Sequence, residues 1–144
     1  MGIIETTIAE GVPGPRLKTA RGIYDFAVDG GAVSTIALMG ATKIPSGATI
    51  VGGWIEVHTQ LTSGGAATIA VQVEGAGDIV GAVAVASWTA GRKQIIPALT
   101  AGAALAASAV VRTTAARDIS AVIAAAALTA GKFSVCLLYA DPLA

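Results

Sequence analysis

Cysteine and histidine each occur once in this chain, aromatic residues make up 4% of it, and charged residues 12%. Each scarcity removes a class of protein. A lone Cys136 rules out an internal disulfide framework, and its place in FSVCLLY reads as a buried structural thiol. With His58 as the single imidazole, a metal site would have to draw on carboxylates, and only Glu56 and Glu74 stand on neighbouring segments. A hydrolytic triad has one candidate base, and Ser34, Ser46 and Ser87 lack the nucleophile-elbow context. The glycine-rich stretch Gly75-Ala76-Gly77-Asp78 has no phosphate-loop lysine. The expectation is a protein without enzymatic activity or cofactor.

Charge of either sign is not in excess: nine Lys and Arg balance nine Asp and Glu. A nucleic-acid partner is therefore not expected, because such binders carry a basic excess. Long apolar runs are also missing. The longest uncharged stretch, Gln94 to Val111, is broken by Pro97 and Gly102, whereas a membrane-spanning helix needs about 20 predominantly apolar residues. No membrane partner is expected, and the amino terminus shows no secretory pattern.

What the chain has in quantity is small aliphatic side chains and glycine, 54% hydrophobic residues with 18 Gly. The stretch Ile50 to Glu74 shows how they are arranged. Ile55, Val57, Thr59 and Leu61 alternate with Trp54, Glu56, His58 and Gln60, and Ile69, Val71 and Val73 alternate with Ala70, Gln72 and Glu74. Period two is the mark of strands with one buried face. Ser63-Gly64-Gly65 between them predicts a hairpin turn.

The same alternation recurs along the chain. Tyr24, Phe26 and Val28 are predicted to point inward from one strand, followed by a strand at Val33 to Leu38 and a reversal at Ile44-Pro45-Ser46-Gly47. Further strands are predicted at Asp78 to Trp88, Gln94 to Leu99, Ala104 to Thr113, Arg117 to Ala127 and Lys132 to Ala140. Four copies of an apolar-Thr-small-Gly signal, beginning at Leu61, Trp88, Leu99 and Leu128, read as corners between strands. These features predict an all-β, antiparallel β-sandwich or jelly-roll-like domain over residues 22–144.

Residues 1–21 differ from the rest. Val12-Pro13-Gly14-Pro15 separates them from the sheet, so they are predicted to form an extended arm in which Ile3, Ile4 and Ile8 are apolar anchors and Arg16, Lys18 and Arg21 face acidic neighbours. Trp54, His58, Arg112 and Arg117 complete the set of candidate interface residues. A charge-poor domain with outward strand faces is expected to associate with copies of itself.

The segments IPSGATIVGGWIEVHTQLTSGGAATIAVQVE, SWTAGRK, VRTTAARDISAVI and LTAGKFSVCLLY together resemble the head decoration, or cement, proteins of tailed bacteriophages, over about residues 22–140. That resemblance implies a jelly-roll-like fold, a homo-oligomer, typically a trimer, the major capsid protein as partner, and a place on the virion's capsid surface. It transfers no individual functional residue. A tail, baseplate or receptor-binding component, or a carbohydrate-binding β-sandwich, is the alternative.

Overall fold

A computed structural model describes residues 16–94 and 111–141 of the chain. The alternating segments become strands packed as two antiparallel sheets. In chain order they are β1 (Leu17–Asp25), a single helical turn α1 (Phe26–Asp29), β2 (Ser34–Ala37), β3 (Thr49–Ser63), β4 (Thr68–Gln72), β5 (Val80–Ala84), β6 (Gly91–Gln94), β7 (Val111–Arg112), β8 (Ser120–Ala124) and β9 (Leu128–Ala140). The larger sheet runs β1-β9-β3-β6 with β7 also on β3, and the smaller runs β2-β8-β4-β5. The all-β sandwich expected from the alternation is thus present.

The core lies between the sheets and is made by the predicted inward sets. Ile55, Val57 and Leu61 of β3, Phe133, Val135, Leu137 and Tyr139 of β9, Ile69 and Val71 of β4, and Ala121 and Ile123 of β8 are all buried. Tyr24, Phe133 and Trp88 stack in series, with centroid separations of 5.3 and 4.9 Å. Burial pushes the Tyr24 phenol up to about 12, and its hydroxyl donates to the Gly30 carbonyl at 2.9 Å. Six aromatic residues in the whole chain suffice because three of them meet at one point.

Several expectations need correction. β3 and β4 do not form a hairpin; they belong to different sheets, and Ser63 to Ala67 carries the chain across the sandwich. Consequently Glu56 and Glu74 are not on adjacent strands. Thr59 is exposed rather than inward, because register shifts on either side of it interrupt the alternation. The strand containing Tyr24 ends at Asp25, whose side chain caps α1 by accepting from the Ala27 N–H, so Val28 turns outward and is 81% exposed. Cys136 sits on the outer face of β9, half-buried, one residue out of phase with Val135 and Leu137. The predicted arm is shortened: Leu17 to Arg21 pair with β9 as part of β1, and Ala20 is in the core. The strand expected at Gln94 to Leu99, beyond Gln94 itself at the end of β6, and most of that at Ala104 to Thr113 lie outside the described residues, as do residues 1–15.

The corner signals hold in part. Leu61, Trp88 and Leu128 are buried anchors, and Gly91 and Gly131 adopt φ of +127° and +134°. Yet Leu128 to Gly131 lies inside β9, and Gly64 keeps ordinary φ. The Leu99 copy lies outside the described residues.

Two glycines are required by close approach between β3 and β9. At Gly53, with φ +153°, an added Cβ would stand 2.3 Å from the Cys136 carbonyl oxygen; at Gly131 it would stand 2.8 Å from the Leu61 Cα. Both obstacles are backbone, which cannot swing away. Gly53→Ala is expected to destabilise the fold by about 1–3 kcal/mol, read as a thermal midpoint several degrees lower with the far-ultraviolet circular dichroism spectrum still that of a β protein.

Candidate interaction surface

In a two-sheet sandwich the register decides which side chains share an outer face. On the larger sheet Arg21 pairs with Cys136 and Cys136 with Trp54; Ile23 pairs with Ser134 and Ser134 with Glu56; Glu56 pairs with Arg92. One row further along are Thr19, Leu138 and Gly52, and then Leu17, Ala140, Thr49 and Arg112. The outer face of this sheet therefore gathers four of the candidate residues picked from the sequence: Arg21, Trp54, His58 and Arg112. They come from three strands, β1, β3 and β7, and from positions 21 to 112, and strand pairing brings the three together.

The chemistry of the face is mixed. The Arg92 guanidinium lies 5.9 Å from the Trp54 ring centroid and 3.6 Å from the Glu56 carboxylate, so it bridges an indole and an anion. His58 Nε2 and Ser134 Oγ share a hydrogen bond of 3.0 Å. Val51 is the extra residue at a register shift, with Gly52 rather than Val51 opposite Leu138, and it is left 44% exposed. Around these groups Leu17 and Ile23 add exposed apolar area, and Gly52 adds no side chain to its row.

Arg117 is elsewhere. Its Nε and Nη2 donate to Glu74 Oε1 and Oε2 at 2.8 and 3.2 Å, while Thr114 donates to the same carboxylate from N–H and hydroxyl at 2.9 Å each. Bidentate pairing of this kind is the strong form of an ion pair. The Arg117 backbone also exchanges both hydrogen bonds with Ile44, and Asp118 accepts from the Met39 N–H at 3.0 Å and from the Lys43 ammonium. The arginine expected at an interface thus acts as a clasp holding three loops at one end of the sandwich. Arg16 is exposed beside β1, whereas Lys18 of the predicted basic segment pairs with Asp141 of its own chain at 2.6 Å. Ile3, Ile4 and Ile8 lie outside the described residues.

Sequence reasoning missed Asp78 and Thr113. Asp78 accepts from the N–H groups of Val73, Glu74 and Gly75 at 2.8, 2.9 and 3.3 Å and so shapes the turn that presents Glu74. Thr113, almost fully buried, donates its hydroxyl to the Pro45 carbonyl at 2.6 Å and accepts from the Ala48 N–H at 2.9 Å. A Gly-rich stretch ending in Asp is a detectable sign of the first; nothing local marks the second. Among the described residues no three His, Cys, Asp or Glu side chains converge as a metal site.

The two-sheet fold is shared with chains of known phage capsids. A chain in the acid-stable capsid of Helicobacter pylori bacteriophage KHP30 is 16% identical and matches with a TM-score of 0.57 over 88% of this chain and 89% of its own. A chain of the cyanophage Pam1 capsid asymmetric unit is 19% identical, with a TM-score of 0.59 over 92% of both chains. A chain of the Ralstonia phage GP4 capsid is 17% identical, with a TM-score of 0.61 over 92% of both. At these identities the likeness is one of fold. No family model and no curated protein matches the chain.

The clasp generates a pH dependence. Arg117 first, then the hydrogen bonds from Thr114, hold the Glu74 carboxyl down at about 2 from an ordinary 4.5. Since the folded value is the lower, the stabilisation is complete above pH 4.5 and is lost as pH falls from there towards 2. The thermal midpoint of the wild type is expected to drop on acidification across this window by clearly more than that of Glu74→Gln, which starts lower at pH 7. Asp25, held down by Lys132, leaves a residual slope of the same sign in the variant. Parallel slopes would refute the clasp.

Proposed function

We propose that this chain is a virion structural protein of a tailed phage, a head decoration or cement protein that sits on the capsid surface as a homo-oligomer, most simply a trimer, and bridges major capsid protein subunits. The observation that carries the reading is the match of its sandwich to chains from three phage capsids over about nine-tenths of both partners in each case. Two features of the chain support it. The outer face of the larger sheet presents Trp54 beside Arg92, the residue types that dominate protein interfaces, together with the exposed apolar side chains of Leu17 and Ile23. Five ion pairs within the chain engage ten of the charged side chains among the described residues, which reduces the charge a close neighbour would meet.

Binding to the phage's own head shells, stripped of the native copy, tests this directly. Saturable binding at positions set by lattice symmetry in a cryo-electron microscopy map is expected, and Trp54→Ala should weaken it roughly tenfold or more while leaving the thermal midpoint near wild type. Density for the protein in the tail and none on the head would overturn the assignment. Specific binding of an oligosaccharide by the Trp54 face would favour the carbohydrate-binding alternative instead.

A further inference from the structure

Every sheet edge of a sandwich exposes unpaired backbone, and most edges here are blunted. β2 has four residues and β5 has five, with Gly81 on β5, and β6 carries Arg92 and Lys93. Short and charged edges discourage strand addition. β1 is different. It is nine residues long and pairs on one side only, with β9.

The direction of its backbone groups follows from two hydrogen bonds. Arg16 O accepts from Asp141 N, so even-numbered residues face β9; Ile23 N donates to Leu38 O, so odd-numbered residues face away. The outward N–H and C=O groups of Leu17, Thr19 and Arg21 have no backbone partner among the described residues. Side chains at the same odd positions line the outer face of the sheet, where Leu17 is 66% and Ile23 43% exposed. Val28 and Val33 follow in the chain at 81% and 56%, so among the described residues four of the five large exposed hydrophobic residues lie between positions 17 and 33. Arg21 makes no ion pair among the described residues.

We propose that the free edge of β1 is the acceptor for a strand formed by residues 3–10 of a second copy of this chain. That segment, IIETTIAE, is rich in β-branched residues, and one alternate set, Ile4, Thr6, Ile8 and Glu10, brings two apolar side chains and a carboxylate to an edge that presents Leu17, Ile23 and Arg21. Its own β1 is the wrong target because of Val12-Pro13-Gly14-Pro15. A two-residue hairpin needs positive φ at its first central position, which Pro13 forbids, and Pro15 has no N–H to close the turn. A longer loop built on a type I turn would put Gly14 in the α region, which a following proline disfavours. The two prolines therefore send the segment away from its own strand, and eight extended residues span about 26 Å, enough to cover β1 of a neighbour. This inference does not depend on the virion reading; it concerns the isolated protein.

Two full-length variants test it. Thr19→Pro removes an outward N–H that the fold does not use and blocks the acceptor edge, a position where an edge strand tolerates proline. Thr6→Pro/Thr7→Pro disables the donor in either alternation. Wild type is expected to sediment as an oligomer, each variant alone to lose that mass towards the 14.1 kDa monomer, and a mixture of the two to regain association, because one retains the donor and the other the acceptor. Circular dichroism and thermal midpoints serve as the check on folding. Should Thr19→Pro not fold, a fluorescent peptide of residues 1–12 replaces it: it should bind the donor-disabled protein, and unlabelled peptide carrying both prolines should not compete. A monomeric wild type, wild-type mass in either variant, no heteromer on mixing, or no peptide binding would each overturn the proposal.

Discussion

Burial of one alternate set along β9 is the constraint on which the rest of the sandwich depends. Phe133, Val135, Leu137 and Tyr139 occupy four successive inward positions, and β1 and β3 take their registers from the two sides of this strand. A slip of one residue would send all four outward and bring Cys136 and Leu138 in. β3 and β9 also lie so close within this sheet that glycine becomes obligatory where backbone meets backbone, at Gly53 against Cys136 and at Gly131 against Leu61. Alternation, register and glycine placement are thus consequences of one packing requirement.

This is also why the strands themselves were legible. Inward sets at Ile55 and Val57, at Ile69 and Val71, and at Phe133 to Tyr139 follow from period two alone, and the structure buries each of them. Connections were less readable. Ser63-Gly64-Gly65 has the composition of a hairpin turn, yet the chain changes sheet there, because turn chemistry reports that the backbone reverses and not which neighbour it reverses towards. The alternation of Tyr24, Phe26 and Val28 suggests one strand, but Asp25, the last residue of β1, also caps α1, so the strand stops there and Val28 is exposed. The outer face was visible as a set of residues without a location. Trp54 and His58 belong to one strand, but Arg21 and Arg112 join them only through β9 and β7 pairing.

Electrostatics divides the molecule. Lys132 pairs with Asp25 at the end of the β1–β9 ladder, while Arg117 with Glu74 and Lys43 with Asp118 join loops. They substitute there for the apolar packing that short, glycine-rich connections do not provide. Exposed pairs of this sort contribute about 0–1 kcal/mol each, so their value lies in fixing loop shape, and the Glu74 clasp joins backbone and side-chain donors from the β7–β8 connection to the turn after β4. On the outer face of the larger sheet the Asp25–Lys132 pair sits at one end and the long Glu56–Arg92 pair beside Trp54, and the rows from Arg21 to Leu17 hold no ion pair among the described residues.

The geometry makes the face and the β1 edge compatible as separate contacts. An added strand beside β1 would continue the larger sheet in its own plane, with its outward side chains prolonging the rows that end in Leu17, Thr19, Arg21 and Ile23. Self-association through backbone hydrogen bonds at the edge would then widen, and not cover, the surface that carries Trp54 and Arg92. An interaction that used the face for self-association would instead remove it from any further partner. For the proposed role, in which the sandwich meets both its own copies and a capsid lattice, the first arrangement serves both contacts, because oligomer formation enlarges the docking area.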